Sequence, residues 1–337
     1  MRYEGRSGRE GALRIVGVVT ALVAAGTLTA SLGACERHSS GAAAPLPPAE
    51  PVATAAAPAP ASAAPAVAAA SAEPVASAPR GVACGELGCE QFDSARDAFL
   101  AAIAGDARVL AIGEAHAQKG ATAPSAAKRF TDELLPALAG RASDLLVELM
   151  MPPRGCADAA AEVRKKQAPA TSQQAATNQN EYVTMGDRAR ALGIVPDLLR
   201  PSCVDMDAVN KAGDGAIEAS LAMIARLSAA QAGKLLDRDA SSAADRAKAV
   251  VVYGGMLHND LAPSPERAKW SYATVLDERT GGKVVSVDLV VPEFITSDAI
   301  WKELPWVARY DRAKLGGKAT LFRVGERSFV LVFAATQ

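Results

Sequence analysis

Aromatic residues are scarce in this sequence, and several other signals are missing. Trp, Tyr and Phe make up 4% of the 337 residues, which disfavours a large aromatic pocket of the kind that surrounds a haem. A net charge of −1 with 22% charged residues gives no basic face for nucleic acid. No two cysteines have the C-x-x-C spacing of a zinc site. Beyond the N-terminal segment, no apolar run is long enough to span a membrane.

The N-terminal segment, residues 1–35, has the pattern of an export signal. Four arginines against two glutamates precede an apolar stretch, Ile15 to Leu32, which ends in Leu32-Gly33-Ala34-Cys35. This ending resembles the bacterial lipobox, which predicts fatty acylation (palmitate) at Cys35. We therefore expect a lipoprotein of the bacterial cell envelope, anchored to a membrane by its N-terminal lipid, with its domain outside the cytoplasm. The alternative is a single transmembrane helix, since the stretch is nearly long enough.

Composition divides the rest of the chain into a tether and one domain. Residues 36–80 are dominated by Ala and Pro and lack the bulky apolar groups that offset the entropy of ordering, so we predict a disordered, extended tether. Residues 81–337 suit one α/β domain.

Four cysteines follow Cys35, an even number that suggests two disulfides in an exported domain. Of the three possible pairings we expect Cys84–Cys89, which closes a short loop, and Cys156–Cys203. Free thiols and a metal site are the alternatives.

Three apolar runs indicate buried strands of a parallel sheet, and each ends in polar side chains. Val109 to Ile112 leads into Gly113-Glu114-Ala115-His116. The run at 144–149 contains Glu148, and Val250 to Tyr253 leads into Gly255-Met256-Leu257-His258. Two of the three histidines therefore stand in a G-x-x-H setting. We interpret Gly113 as the site of a sharp turn or of a close ligand approach.

The remaining elements are predicted from periodicity and from turn residues. Residues 193–196 are predicted to form a weak strand, and residues 203–207 to form the end of another strand. Residues 154–182 hold no clear strand and are expected to cover the site. The predicted helices are 92–103, 130–138 with a kink at Pro136, 182–192 and 217–227. Later strands are 283–291 and a hairpin of 319–324 with 328–334, so the expected fold is a mostly parallel sheet, flanked by helices, with a C-terminal antiparallel hairpin.

Parallel strands place their carboxyl ends at one sheet edge, so these side chains are expected to form one site. His116, Glu148 and His258 can bind a divalent transition metal that activates water. Without a metal, the same residues with Glu114 can act as bases and orienting carboxylates. The candidate catalytic residues are thus Glu114, His116, Glu148 and His258. Each histidine or carboxylate taken alone also has a purely structural reading, as a hydrogen-bonded group.

In these motifs the chain resembles the superfamily of the ChaN-type haem-uptake lipoproteins, the Tiki and TraB proteins and the erythromycin-esterase-like proteins. The resemblance rests on the two G-x-x-H elements and on the strand-end Glu148. It implies a ChaN/Tiki-like α/β fold and a hydrolase, protease-like with a metal or esterase-like with a histidine and a glutamate, acting on a small molecule or peptide. The first alternative is an uptake lipoprotein that binds haem or iron through an axial histidine or tyrosine, for which Tyr253 and Tyr182 are candidates. The second is a non-catalytic envelope protein with a relic site.

Overall fold

A computed structural model describes residues 78–336, with the side chains of Ala299 and Ile300 left undescribed. The predicted signal, Cys35 and most of the tether lie outside these residues and stay predictions. Within the described range, nine strands form one sheet. They are β1 Val82–Ala83, β2 Cys89–Phe92, β3 Val109–Glu114, β4 Ala142–Met150, β5 Val195–Leu199, β6 Ala249–Gly255, β7 Val284–Val290, β8 Ala319–Arg323 and β9 Ser328–Val332.

The order across the sheet is β1-β2-β8-β9-β7-β3-β6-β4-β5. The six strands from β9 to β5 are parallel, whereas β1, β2 and β8 are antiparallel and form one edge. The predicted class, a mostly parallel α/β sheet with a C-terminal antiparallel hairpin, is confirmed.

The three strands that carry the candidate site lie side by side. β6 pairs in parallel with β3 on one side, where Ile112 faces Tyr253, and with β4 on the other, where Val147 faces the same residue. Every residue of β3 is buried, as are the first six of β6. Apolar side chains on both faces explain why these strands are continuous runs rather than alternating ones.

Nine α-helices flank the sheet in the described residues. They are α1 Ala95–Ala102, α2 Ala126–Arg129, α3 Ala157–Thr171, α4 Asn178–Ala191, α5 Cys203–Lys211, α6 Ala216–Ala240, α7 Ala273–Thr280, α8 Ala299–Lys302 and α9 Arg312–Leu315. Helices α1, α2 and α4 bury their apolar side chains on one face of the sheet. Helices α6 and α7 cover the opposite face. None of the helices in residues 78–336 has the length and apolarity needed to cross a membrane.

Two local predictions are wrong. Residues 203–207 begin helix α5, because Ser202 and Asp205 form a capping box in which each side chain accepts from the other's backbone N–H. Residues 154–182 hold no named strand, as predicted, and most of them are helical, in α3 and the start of α4. Gly113 makes no turn; it lies inside β3, and its missing side chain serves the packing described below.

The segment around Pro136 continues α2 in a modified form. The chain passes through a π-helical turn at Phe130–Leu134 and then a 3-10 turn at Leu135–Leu138. Proline lacks the N–H that an α-helix interior requires, which agrees with the loss of regular α-helix around this residue.

Both predicted disulfides are present. Cys84 pairs with Cys89 and Cys156 with Cys203, each with a Cα–Cα distance of 5.2 Å. The second bond joins the start of α3 to the start of α5, which otherwise meet through a small apolar cluster shared with α6.

Candidate functional site

Glu114 and His116 form a close pair at the carboxyl end of β3. His116 Nδ1 lies 2.8 Å from Glu114 Oε1. The Glu114 side chain is 2% exposed and that of His116 25%. A carboxylate that is shielded from solvent needs hydrogen-bond donors from the protein, because an unpaired buried charge destabilises the fold.

Two tyrosines supply those donors. The Tyr182 hydroxyl, from α4, donates to Glu114 Oε1 at 2.7 Å, and the Tyr253 hydroxyl, from β6, donates to Oε2 at 2.6 Å. Burial and the charge of Glu114 hold the pKa of both phenols well above 10.0, so they remain neutral donors.

The pair favours the ionised state of both partners. Burial alone raises the pKa of Glu114, but the hydrogen bond and charge of His116 and the two tyrosine hydroxyls outweigh it, and the pKa lies below its ordinary value of 4.5. Burial lowers the pKa of His116, but Glu114 and the charge of Glu148 outweigh it, and the pKa lies above 6.5. The imidazole is therefore both oriented and made more basic by its carboxylate partner.

The loop that carries His116 is held from outside the sheet. Ala117 O accepts hydrogen bonds from Ala175 N at 2.8 Å and from Asn178 Nδ2 at 3.3 Å. Lys119 N donates to Gln173 O at 2.7 Å. The turn between α3 and α4 thus contacts the His116 loop, which is the part of the 154–182 segment that lies against the site.

Glu148 and His258 form a second pair, on the opposite face of the sheet. Glu148 Oε2 accepts from the Gly255 N–H at 2.8 Å, and Glu148 Oε1 lies 3.8 Å from His258 Nε2. The Nδ1 of His258 lies 2.7 Å from Trp270 O. Because a carbonyl only accepts, Nδ1 carries a proton and Nε2 is the atom that faces Glu148.

Glycines allow the two pairs to approach each other at the sheet edge. A Cβ on Gly255 would lie 3.3 Å from His116 Nε2 and 3.8 Å from Glu148 Oε2, so atoms of both pairs flank one point. A Cβ on Gly254 would collide with the Glu148 carboxylate. The structure thus gathers Glu114, His116, Glu148 and His258 around the ends of three neighbouring strands.

The fit of a metal to these residues is incomplete. Glu148 Oε1 and His258 Nε2 have a spacing that two ligands of one ion can adopt. A catalytic zinc site takes three protein ligands, and in the described range no three His, Cys, Asp or Glu side chains are arranged to hold an ion. The metal set expected from the sequence, His116, Glu148 and His258, is not among such groups in the described residues and stays a prediction.

The tyrosines named as haem ligands have another role. Tyr182 and Tyr253 are buried, and both hydroxyls are engaged with Glu114. Their sequence positions gave no sign of this, because the contacts join α4 and β6 to β3.

Two further polar residues at the site were not singled out from the sequence. Asn259 is 1% exposed and donates from Nδ2 to Asp288 Oδ1 at 2.8 Å. Burial raises the pKa of Asp288 to about 7, with the charge of Asp260 acting in the same direction and the Asn259 hydrogen bond against it. The available signal was an acidic residue inside the apolar run of β7.

Comparisons with known proteins add little to this geometry. No protein-family model and no curated protein matches the chain. The solved structure of the type III effector HopBA1 is similar at 12% identity and a TM-score of 0.36, over 73% of this chain and 96% of that one. A likeness at that TM-score is not a sign of shared activity.

Proposed function

We propose that this protein is an exported lipoprotein with a histidine-based hydrolase site, in which His116 is the general base and Glu114 orients it. The observation that carries the proposal is the 2.8 Å contact of Glu114 with His116 Nδ1, made by a buried carboxylate that two tyrosines hold in place. A base needs a fixed tautomer and a free second nitrogen, and this arrangement gives both.

The proton path follows from the contacts. In neutral His116 the Nδ1–H donates to Glu114, so Nε2 carries the lone pair. Nε2 takes a proton from a water molecule while the water oxygen attacks the carbonyl carbon of the substrate. The bond from that carbon to the leaving group then breaks, and the proton passes from His116 to the leaving atom. Glu114 stays ionised throughout and stabilises the imidazolium.

The second pair completes the site in this proposal. His258, held through Nδ1 on Trp270 O, directs Nε2 at Glu148 and so orients this carboxylate, whose charge acts on His116. Membership of the ChaN/Tiki superfamily is part of the proposal, and the two G-x-x-H elements support it. Within that superfamily the Glu–His pair favours an esterase-like activity.

Two exposed apolar side chains that are close in sequence to site residues guide the choice of probe. Met151 follows β4 and Leu257 precedes His258, and they are 56% and 46% exposed. We therefore choose p-nitrophenyl butyrate, an activated ester with a short apolar acyl chain, as the first substrate.

The test compares ester hydrolysis by the full chain and by single variants. Removing a general base costs about 100-fold or more, so His116→Ala should lose at least that much of kcat. His38→Ala, which changes the histidine of the predicted tether, is the matched control and should retain full activity. The rate should rise with pH through a value above 6.5, because the base works only when neutral. Equal rates for wild type and His116→Ala would overturn the proposal.

The same assay addresses the metal and haem alternatives. Rates are measured after chelation and after adding Zn²⁺, Mn²⁺ or Co²⁺, and an absorption spectrum is recorded with haem. Activity that disappears with chelator and returns with one ion would replace the metal-free mechanism. A haem spectrum that His116→Ala or His258→Ala abolishes, without hydrolysis, would replace the hydrolase.

A further inference from the structure

The two G-x-x-H elements interlock through their glycines. His116 of the first element lies against Gly255 of the second. Asn259, the residue after the histidine of the second element, lies against Gly113 of the first. A Cβ on Gly113 would be 2.6 Å from Asn259 Oδ1 and 2.7 Å from Asp288 Oδ1, closer than real Cβ atoms approach. Asn259 and Asp288 therefore occupy the space that a side chain at position 113 would need.

Asn259 fastens the His258 loop to two strands. Its Nδ2 lies 3.3 Å from Ala111 O on β3, 3.2 Å from Ser286 Oγ on β7 and 2.8 Å from Asp288 Oδ1 on β7. The shortest of the three contacts joins the amide to the Asp288 carboxyl group. When this group is ionised, its hydrogen bond is stronger than those to the neutral Ala111 and Ser286 oxygens. Asn259 Oδ1 is buried and has no hydrogen-bond partner, so the amide is held through its donor side alone.

His258 depends on this fastening for its direction. Its backbone O accepts from Tyr272 N at 2.9 Å, and its Nδ1 is fixed on Trp270 O, so the segment 270–272 sets one side of the loop. Asn259 sets the other side, next along the chain. With both sides held, Nε2 points at Glu148 Oε1.

We propose that Asp288 and Asn259 form a positioning unit that acts through His258, by fixing the loop so that its imidazole faces Glu148. Asp288 is a member because its Oδ1 is the closest acceptor of the Asn259 amide and because it lies on the same sheet face as Glu148. The proximity of the two carboxylates is seen at Tyr272, where burial, then the charge of Glu148 and then that of Asp288 raise the pKa. This inference rests on the proposed function only in so far as His258 takes part in the reaction.

The test reads His258 directly, without relying on hydrolysis. The full chain is labelled with ¹³C-histidine, and the imidazole Cε1–Hε1 signals are assigned with His38→Ala, His116→Ala and His258→Ala. Asp288→Ala should displace or double the His258 signal and leave the His38 signal in place. Asp288→Asn keeps an oxygen acceptor at the same position and should restore a single signal close to that of wild type. Ser286→Ala removes a longer contact of the same amide and is the matched control, with little change expected.

A pair of exchanges keeps the test decisive if Asp288→Ala does not fold. Asn259→Asp places two carboxylates against each other and should displace the His258 signal. The double variant Asn259→Asp with Asp288→Asn restores a donor–acceptor pair with the roles exchanged and should recover it. In ester hydrolysis, the single change should lower kcat about tenfold, with KM less affected, because a misdirected group costs rate more than binding.

The outcomes separate this inference from the hydrolase proposal. If the wild type hydrolyses no ester but Asp288→Ala still displaces the His258 signal, the positioning unit stands and the proposed function fails. If the His258 signal and kcat are unchanged in both Asp288→Ala and Asn259→Asp, the positioning unit is overturned, whatever the effect on stability.

Discussion

The imidazole of His116 lies directly over Gly255, so close that a Cβ at that position would be 3.3 Å from Nε2. The last residue of β6 thereby sets how close the imidazole of His116 can lie to the end of that strand. Position 255 requires glycine for steric reasons, because a larger side chain would displace the His116 imidazole from its place beside Glu148.

Alanine at the two adjacent glycines should separate activity from stability. In Gly255→Ala the imidazole can shift by a few tenths of an ångström, so we expect about a tenfold loss of ester turnover. In Gly254→Ala the new Cβ collides with Glu148, and overpacking of this kind costs about 1–3 kcal/mol. Both effects are measured by kinetics and by urea unfolding. Gly186→Ala, inside α4 with 3.5 Å to the nearest atom, is the control and should be neutral or stabilising. Similar behaviour of all three variants would contradict the packing argument.

Tyr253→Phe should destabilise the fold in a pH-dependent way. The variant leaves Glu114 with one donor fewer, and a hydrogen bond to a charged group contributes about 1.5–3 kcal/mol. The folded-state pKa of Glu114 is lowered, so its contribution is complete above 4.5 and is lost as the pH falls through the folded pKa. The difference from wild type in urea unfolding should therefore shrink in acid. Tyr272→Phe, which loses a contact to the neutral Val252 O, should show no such trend.

Asp288→Asn should stabilise the protein at alkaline pH. The pKa of Asp288 rises from 3.8 to about 7 on folding, so the unfolded state releases this proton first and stability falls as the pH rises between those values. Asparagine does not ionise and avoids that loss, which is on the order of 4 kcal/mol at pH 8. Unfolding free energies at pH 4 and pH 8 check this. An advantage of the variant that is equal at both pH values would contradict it.

Loss of the Cys156–Cys203 bond should cost more than loss of Cys84–Cys89. The sequence separations are 47 and 5 residues, for which the chain-entropy relation gives about 4 and about 2 kcal/mol. Paired serine variants are compared by urea unfolding, and peptide mapping without reductant verifies the pairings. Free thiols at 156 and 203 in the oxidised wild type would refute the bond.

Cys35 is predicted to carry the lipid anchor. Cys35→Ala should release the protein from the membrane fraction or leave the precursor uncleaved, because the lipobox cysteine is the acylated residue. Fractionation and the mass of the mature N-terminus measure this. Unchanged processing and unchanged fractionation would end the lipoprotein prediction.

The sequence by itself determined the three central strands that carry the candidate site, the C-terminal hairpin and both disulfides, and it indicated the four candidate side chains. Strands buried on both faces leave a continuous apolar run, and parallel strands must end at one edge, so Glu114, Glu148 and the residues after β6 were predictable as neighbours. The helix at 203–211 was not predicted, because its acidic first turn was interpreted as a strand end.

Only the tertiary structure decided which side chains pair. Glu114 joins His116 and two tyrosines on one face, while Glu148 joins His258 on the other. Alternation along a strand sends successive side chains to opposite faces, but which residues of distant helices and loops arrive there depends on the packing of the whole chain. The roles of Asn259 and Asp288 also depend on tertiary packing. Both side chains pack against Gly113, which has no side chain of its own to exclude them.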